Sequence, residues 1–383
     1  MTELVVVREV LEDRELANFL PLVPAGFRVR FVTSGESGPY DGSGLGVPVT
    51  RLRRVKDFLG PARVGRRIAR LMSPRLDLET LLGLKKALGP ANIVCVNETH
   101  NVSSVQACRI ANRQPGMRVV TVCYENIPFR YEDDPLLRAR KAFVRTHTDL
   151  FVALTPAAEN ALCLEGASPQ RIAVQPYGVD AARFSPNERD ASLRASWKVA
   201  PDEVVVLYAG RLIQEKGLTN LLIAASQIQH LPFRVILVGA GGDLPRLQRA
   251  VVALHLEDRV TFVPWVPHAQ VPSVLASADI FAMPSLPTPY WEEQFGFSMV
   301  EAMASGLPVV STESGSIPFV VGDGAALVPP YNIEALSTAL ARLVADPDLR
   351  VRMGGDGRRR IETELNVETV ARRLARLLAP THA

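Results

Sequence analysis

Short, unbroken apolar runs recur along this chain, separated by helix-like sequence, and that rhythm leaves few folds open. In the first half the runs fall at 3–8, 28–33, 92–97, 118–123, 149–154 and 171–175. In the second they fall at 203–208, 234–238, 260–263, 279–283, 307–311 and 325–328. A strand that is apolar on both sides must be covered on both faces, as in a parallel sheet between two layers of helices. Strands alternating with helices build β-α units. Six strands per half therefore predict an α/β chain of two doubly wound, Rossmann-like parallel-sheet domains. The turn-forming run Pro176-Tyr-Gly-Val-Asp180 interrupts the pattern and marks the switch. The expected division is 1–177 and 178–365, with 366–383 holding a last helix, about Val367–Leu378, that crosses back to the first domain. A length of 383 residues suits two domains.

Composition excludes several classes. Hydrophobic content of 47% and charged content of 22% are ordinary for a soluble globular protein, and two sizeable cores fit within them. A net charge of +3 is too small to argue for nucleic acid. No apolar run approaches the roughly 18 residues that cross a bilayer. Met-Thr-Glu-Leu-Val-Val-Val-Arg at the start reads as a strand, not a signal peptide. Cys95, Cys108, Cys123 and Cys163 contain no C-x-x-C pair and suit buried thiols in a reducing compartment. A cytoplasmic location is expected, and Asn101-Val-Ser103 then matches a glycosylation acceptor by coincidence.

One segment departs from the rest. Residues 51–75 hold nine Arg or Lys and one acid, Asp57. Val64, Ile68 and Leu71 lie at helical spacing among Arg63, Arg66, Arg67 and Arg70. Three readings stay open: a solvated helix whose apolar stripe packs on its domain, peripheral contact with an anionic membrane, or reception of a phosphorylated acceptor. No aromatic platform accompanies the charges, so nucleic acid is not an expected partner.

In doubly wound sheets ligands bind beyond the carboxyl ends of the strands. That rule selects Glu9, Glu98, His100, Glu125, Asn126 and Thr155 in the first half. In the second it selects Arg211, Gly239, Trp265, Ser285 and the acidic run that follows, with the substrate expected in the cleft between the domains. The acidic run is Trp291-Glu-Glu-Gln-Phe-Gly-Phe-Ser-Met-Val-Glu301. Glu293 and Glu301 stand eight residues apart around Gly296 and a helix start. If helical throughout, the spacing would be about 12 Å. Two carboxylates working on one glycosidic bond need roughly 5–9.5 Å, so the longer spacing suits both ends of an extended ligand. Gly296 would let the Phe297-Ser298 amides approach a phosphate at the helix start. Acid, anion site and acid together fit a nucleoside diphosphate sugar. The bland alternative makes Glu293 a helix-dipole partner and Glu301 a surface acid.

The run 204–208 leads into Ala-Gly210-Arg211-Leu-Ile-Gln-Glu-Lys216-Gly217. Two cations at one strand end suit a diphosphate, Arg through bidentate geometry and Lys as a point charge. They would also stabilise charge growing on a departing phosphate. Taken alone, they equally read as a solvated helix start. Val238-Gly-Ala-Gly-Gly242 is read either as Gly239 and Gly241 admitting a ligand or as a plain tight turn; Leu244 breaks the G-x-G-x-x-G pattern. Trp265 lies either near a nucleotide base or in the core. No His/Cys cluster has metal-ligand spacing, and Glu132-Asp-Asp134 reads as a loop before a helix. No metal and no cofactor are expected.

Together, Tyr208-Ala-Gly-Arg-Leu-Ile-Gln-Glu-Lys-Gly217, the run from Glu293 to Val310, Gly315-Ser-Ile-Pro318 and Tyr177-Gly-Val-Asp180 resemble glycosyltransferase family 4, over roughly residues 170–380. The resemblance implies a GT-B fold and metal-independent, retaining transfer of a hexose-type sugar from a nucleotide donor to an acceptor hydroxyl. It implies that Arg211 and Lys216 bind the diphosphate; Gly210, Gly239 and Gly241 are further candidates for donor contact from their place beyond the strands. It further implies that Glu293 faces the sugar, that the Phe297-Ser298 amides touch phosphate and that Glu301 holds ribose. No protein nucleophile is then needed, and the chemistry rests on positioning and on stabilising the leaving diphosphate. In the first half the resemblance thins. The family's Gly-rich loop after the first strand is replaced by Glu9-Val-Leu-Glu-Asp-Arg, with Gly35, Gly38, Gly42, Gly44 and Gly46 only after the second. A family histidine is replaced by Tyr124-Glu125-Asn126-Ile-Pro128. Glu125, Asn126 and His100 are left as candidates for sugar or acceptor hydroxyls. The alternatives are a sugar-nucleotide epimerase of the same fold and a silent nucleotide-sugar binder.

Overall fold

The computed structural model describes residues 1–35, 46–58 and 77–379. Two compact units result: Met1–Tyr177 with the residues from Val370 onward, and Gly178–Thr369.

The first unit is built on seven parallel strands: β1 (Thr2–Arg8), β2 (Phe27–Ser34), β3 (Val49–Leu52), β4 (Ile93–Asn97), β5 (Arg118–Cys123), β6 (Leu150–Ala153) and β7 (Ile172–Val174), ordered 3-2-1-4-5-6-7. Valines explain its centre. Val5, Val6 and Val7 of β1 and Val94 and Val96 of β4 are fully buried, and β1 lies between β2 and β4 with Val5 opposite both Arg30 and Val94. Leu84, Leu88, Val105, Cys108 and Val144 from the flanking helices fill the core against them. The expectation of six strands is corrected to seven. Val49-Thr-Arg-Leu52 is a short edge strand paired only with β2, and none of its residues is buried. A half-exposed edge needs no continuous apolar run. The helix Val367–Leu378 ends in this unit, where Arg118 Nη1 donates to the Leu378 carbonyl at 3.3 Å.

The second unit has six parallel strands: β8 (Val204–Ala209), β9 (Phe233–Val238), β10 (Val260–Val263), β11 (Ile280–Met283), β12 (Val309–Thr312) and β13 (Ala325–Val328), ordered 10-9-8-11-12-13. Its core joins Leu207, Ile236 and Phe281 to Leu221 and Met299, all fully buried. In each unit the order reverses beside the first strand, between β1 and β4 and between β8 and β11. That is where a doubly wound sheet opens a crevice beyond its strand ends. Both sheets confirm the doubly wound α/β class.

Cys95, Cys108 and Cys123 are buried free thiols, and Cys163 is partly buried. Among the described residues no helix is long and apolar enough to cross a membrane. Most of the basic segment 51–75, and Gly38, Gly42 and Gly44, lie outside the described residues.

Candidate functional site

In the second unit Lys216, Ser285 and Glu293 meet at the β8–β11 reversal. Beyond β8 the chain turns through Gly210 and Arg211 into a single 3-10 turn, Gln214–Lys216. Beyond β11 it runs through Ser285 and Leu286, and the Leu286 N–H donates to the Glu215 carbonyl at 2.8 Å, tying the two loops together. Lys216 Nζ therefore reaches Glu293 Oε2 at 2.5 Å, and Ser285 Oγ donates to the same oxygen at 3.1 Å. The ammonium also stands 5.1 Å from the centroid of the Trp291 ring, a cation–π distance. Lys216 and Glu293 are both buried. An acid and a base desolvated together are held as an ion pair, and removing one partner costs about 3–5 kcal/mol.

Arg211 is placed differently. Its side chain is exposed, while its backbone carbonyl accepts from Tyr208 Oη at 2.7 Å. Burial, with the charge of Glu293 adding to it, holds the Tyr208 hydroxyl well above its usual range, so it stays a donor. Of the two expected cations at this mouth, one is thus presented to solvent and one is paired.

The glycine turn after β9 is pressed against the turn after β8. Gly239 has φ +144°, and a Cβ there would lie 1.9 Å from the Gly210 carbonyl oxygen. A Cβ on Gly241 would meet the Leu212 carbonyl at 2.1 Å. The two turns are hydrogen-bonded, Gly210 N–H to the Val238 carbonyl at 3.0 Å and Leu212 N–H to the Ala240 carbonyl at 2.9 Å. These glycines admit backbone to backbone, which is a reason for their presence independent of any ligand.

The acidic run is helical only from Phe297 to Ala304. The 12 Å helical estimate for Glu293 to Glu301 is therefore corrected: the four residues before the helix are irregular. Gly296 is the N-cap, at φ +79°, with no capping side chain. A Cβ there would strike Met299 Cε at 2.1 Å and lie 3.6 Å from Glu293 Cγ, so Gly296 seats the Glu293 side chain beside the Phe297 and Ser298 turn. Ser298 Oγ donates to Met283 Sδ at 3.6 Å. Glu301 is 3% exposed, which removes the surface-acid reading. Its Oε1 lies 3.0 Å from His268 Nε2. His268 and Arg183, which holds it, were missed by sequence reasoning. They lie 33 and 118 residues from Glu301, and nothing in their local sequence signals the pairing. Trp265 is 57% exposed, so it is not a core residue.

In the first unit Glu98 follows β4 at φ +59°, in the left-handed region. Its Oε1 accepts from the Tyr124 and Glu125 N–H groups at 2.8 and 3.1 Å and so shapes the loop after β5. Burial pushes its carboxyl up to about 7 against those two hydrogen bonds. His100 rests 4.9 Å from the Tyr131 ring, and burial, then Lys141 and Arg130, press it down to about 4. Glu125 pairs with Arg130 at 2.8 Å, and Asn126 is buried. Glu98, His100, Glu125 and Lys141 line one small pocket. Glu132 and Asp134 serve the next helix. Asp134 caps it by accepting from the Leu136 and Leu137 N–H groups, and Glu132 pairs with Arg145 at 3.0 Å. Among the described residues no cluster of three or more His, Cys, Asp or Glu is arranged to hold a metal.

A family model described as glycosyl transferases group 1 matches residues 190–360, and a glycosyl transferase 4-like domain matches residues 19–178. A D-inositol 3-phosphate glycosyltransferase of Nocardia farcinica is 35% identical over 202 residues, covering 50% of this chain and 44% of that protein. A GDP-mannose-dependent alpha-(1-6)-phosphatidylinositol monomannoside mannosyltransferase of Mycolicibacterium smegmatis is 34% identical over 211 residues, 53% of this chain and 55% of that protein. The matches thus span about half the length of these curated relatives. HepE of Anabaena, solved with UDP and glucose, superposes with a TM-score of 0.78 at 20% identity over 99% of both chains. Sucrose-phosphate synthase of Thermosynechococcus elongatus does so at 0.74 and 23% identity over 98% of both. The fold is that of the GT-B glycosyltransferases.

Proposed function

The chain belongs to the family 4 glycosyltransferases, and on that premise we propose that it moves a hexose-type sugar from a nucleoside diphosphate to an acceptor hydroxyl, with retention and without a metal. The observation that carries the proposal is the convergence of Lys216, Ser285 and Glu293 at the β8–β11 reversal, with Glu301 buried in the helix that follows. Arg211 and Lys216 supply the countercharge for the diphosphate, and the Gly296-Phe297-Ser298 turn lends it amides. Glu293 takes a sugar hydroxyl when donor draws Lys216 away from it, and Glu301 takes the ribose. Lys216 is favoured as the group that stabilises charge on the leaving phosphate, because it is desolvated, and electrostatic stabilisation is stronger out of water. The first unit supplies the acceptor side, where Glu125, Asn126 and His100 are the polar candidates. Metal-free operation is supported by the presence of these cations.

The test is a panel of UDP- and GDP-sugars, with free diphosphate and free or transferred sugar followed together. Transfer to an added acceptor alcohol is the expected result. An altered donor sugar without diphosphate release would identify an epimerase, and binding without turnover a silent binder. Lys216→Ala is expected to lower kcat by about 10²-fold or more, and Glu301→Ala to raise the donor KM. Unchanged kinetics in both would sink the assignment.

A further inference from the structure

His268 sits in the 3-10 turn His268–Gln270 that follows β10, and it is fixed from three sides. Arg183 Nη2 donates to His268 Nδ1 at 3.1 Å and to the His268 carbonyl at 2.8 Å. The buried Phe184 ring packs against the imidazole at 5.8 Å between centroids. His268 Nε2 points to Glu301 Oε1 at 3.0 Å. A guanidinium can only donate. Nδ1 must therefore accept, the single imidazole proton lies on Nε2, and Nε2–H donates to Glu301. Arg183 thus selects one tautomer of His268, and that tautomer fixes one oxygen of Glu301.

We propose that His268 is a positioning residue for the donor site: held by Arg183, it orients the Glu301 carboxylate to accept from the ribose diol of the nucleotide. The inference rests on the function proposed above and adds what selects the sugar of the nucleotide itself. A buried carboxylate with one oxygen tied rotates less, so less ordering is left to pay when the diol binds. The chemical class recognised is a ribonucleoside diphosphate, read through its 2′ and 3′ hydroxyls, in preference to a dideoxy analogue.

The experiment measures calorimetric binding of UDP and GDP, each against its 2′,3′-dideoxy counterpart, to the full chain and to His268→Leu, His268→Gln and Glu301→Gln. Wild type is expected to prefer the ribonucleotide at least tenfold. His268→Leu should lose most of that preference by weakening the ribonucleotide alone, while donor KM rises and kcat stays within about twofold. His268→Gln, whose amide N–H can reach the same oxygen, should restore part of it. A merely structural role would weaken both nucleotides equally, and that result overturns the inference. So does an unchanged preference in His268→Leu beside a lost one in Glu301→Gln, which leaves the function standing. Absence of nucleotide binding to wild type would overturn the functional reading and this inference with it.

Discussion

At the scale of single residues, burial sets what each charge can do. Lys216 and Glu293 were named in the sequence as ligand-binding groups, one for phosphate and one for sugar, and the structure joins them in an ion pair. Glu293→Ala is expected to destabilise the chain by roughly 3 kcal/mol, because it strands a buried ammonium; the loss would appear in urea denaturation. Glu98 offers a pH signature. Burial raises its carboxyl from the usual carboxylate range to about 7 in the fold. The folded state therefore holds that proton through a window where the unfolded chain has released it, and stability falls as pH rises from about 4.5 to 7. Glu98→Gln, which can still accept from Tyr124 and Glu125, should melt higher than wild type at pH 8, on the order of 3 kcal/mol more stable, and equal to it at pH 4. His100 acts in the opposite sense. Burial lowers its folded value to about 4, below the usual imidazole range, so stability is lost as pH falls from that range toward 4. A difference in melting temperature between wild type and Glu98→Gln that did not vary with pH would contradict the assignment.

At the scale of elements, the strands were legible wherever both faces are buried, since continuous Val-rich runs are what a central parallel strand demands. Strand β3 was not, because an edge strand is half exposed and its Arg51 belongs equally to a basic surface. The helix Phe297–Ala304 was legible from its start, Gly296, while the irregular path of the preceding four residues was not. The glycine turn after β9 changed meaning most. Gly239 and Gly241 mark a close approach, as their sequence implied, but the approaching group in this structure is the neighbouring turn. Gly239→Ala combines a positive φ with a backbone clash and is expected to cost on the order of 3 kcal/mol. Gly242 next to it has no atom within 4 Å of an added Cβ, so Gly242→Ala should change stability by less than about 1 kcal/mol. Chemical denaturation of the two variants side by side checks this, and equal losses would mean that the loop contact carries little.

At the scale of the whole molecule, a nucleotide that binds only the folded chain should raise its melting temperature. At a hundredfold excess over Kd the stabilisation is about 2.7 kcal/mol. Arg211→Ala should shrink that shift by weakening the proposed diphosphate contact while leaving the unliganded melting temperature unchanged, since Arg211 is exposed. Differential scanning calorimetry with and without UDP or GDP reads both. The sequence alone determined the repeat of strands and helices and the doubly wound class, and it carries the motifs behind the ligand proposed above. These follow from local hydrophobic period and from short motifs whose residues are neighbours in the chain. Tertiary structure alone decided which charges meet. Lys216 and Glu293 are 77 residues apart, and Glu301 and His268 are 33 apart. Lys216 and Glu293 meet because β8 and β11 are neighbours and parallel strands place their carboxyl-end loops side by side. His268 instead follows the edge strand β10 and meets Glu301 through the packing of the helix Val271–Ala276 on the helix Phe297–Ala304. Sheet order and helix packing, not the sequence interval, thus set which side chains are neighbours.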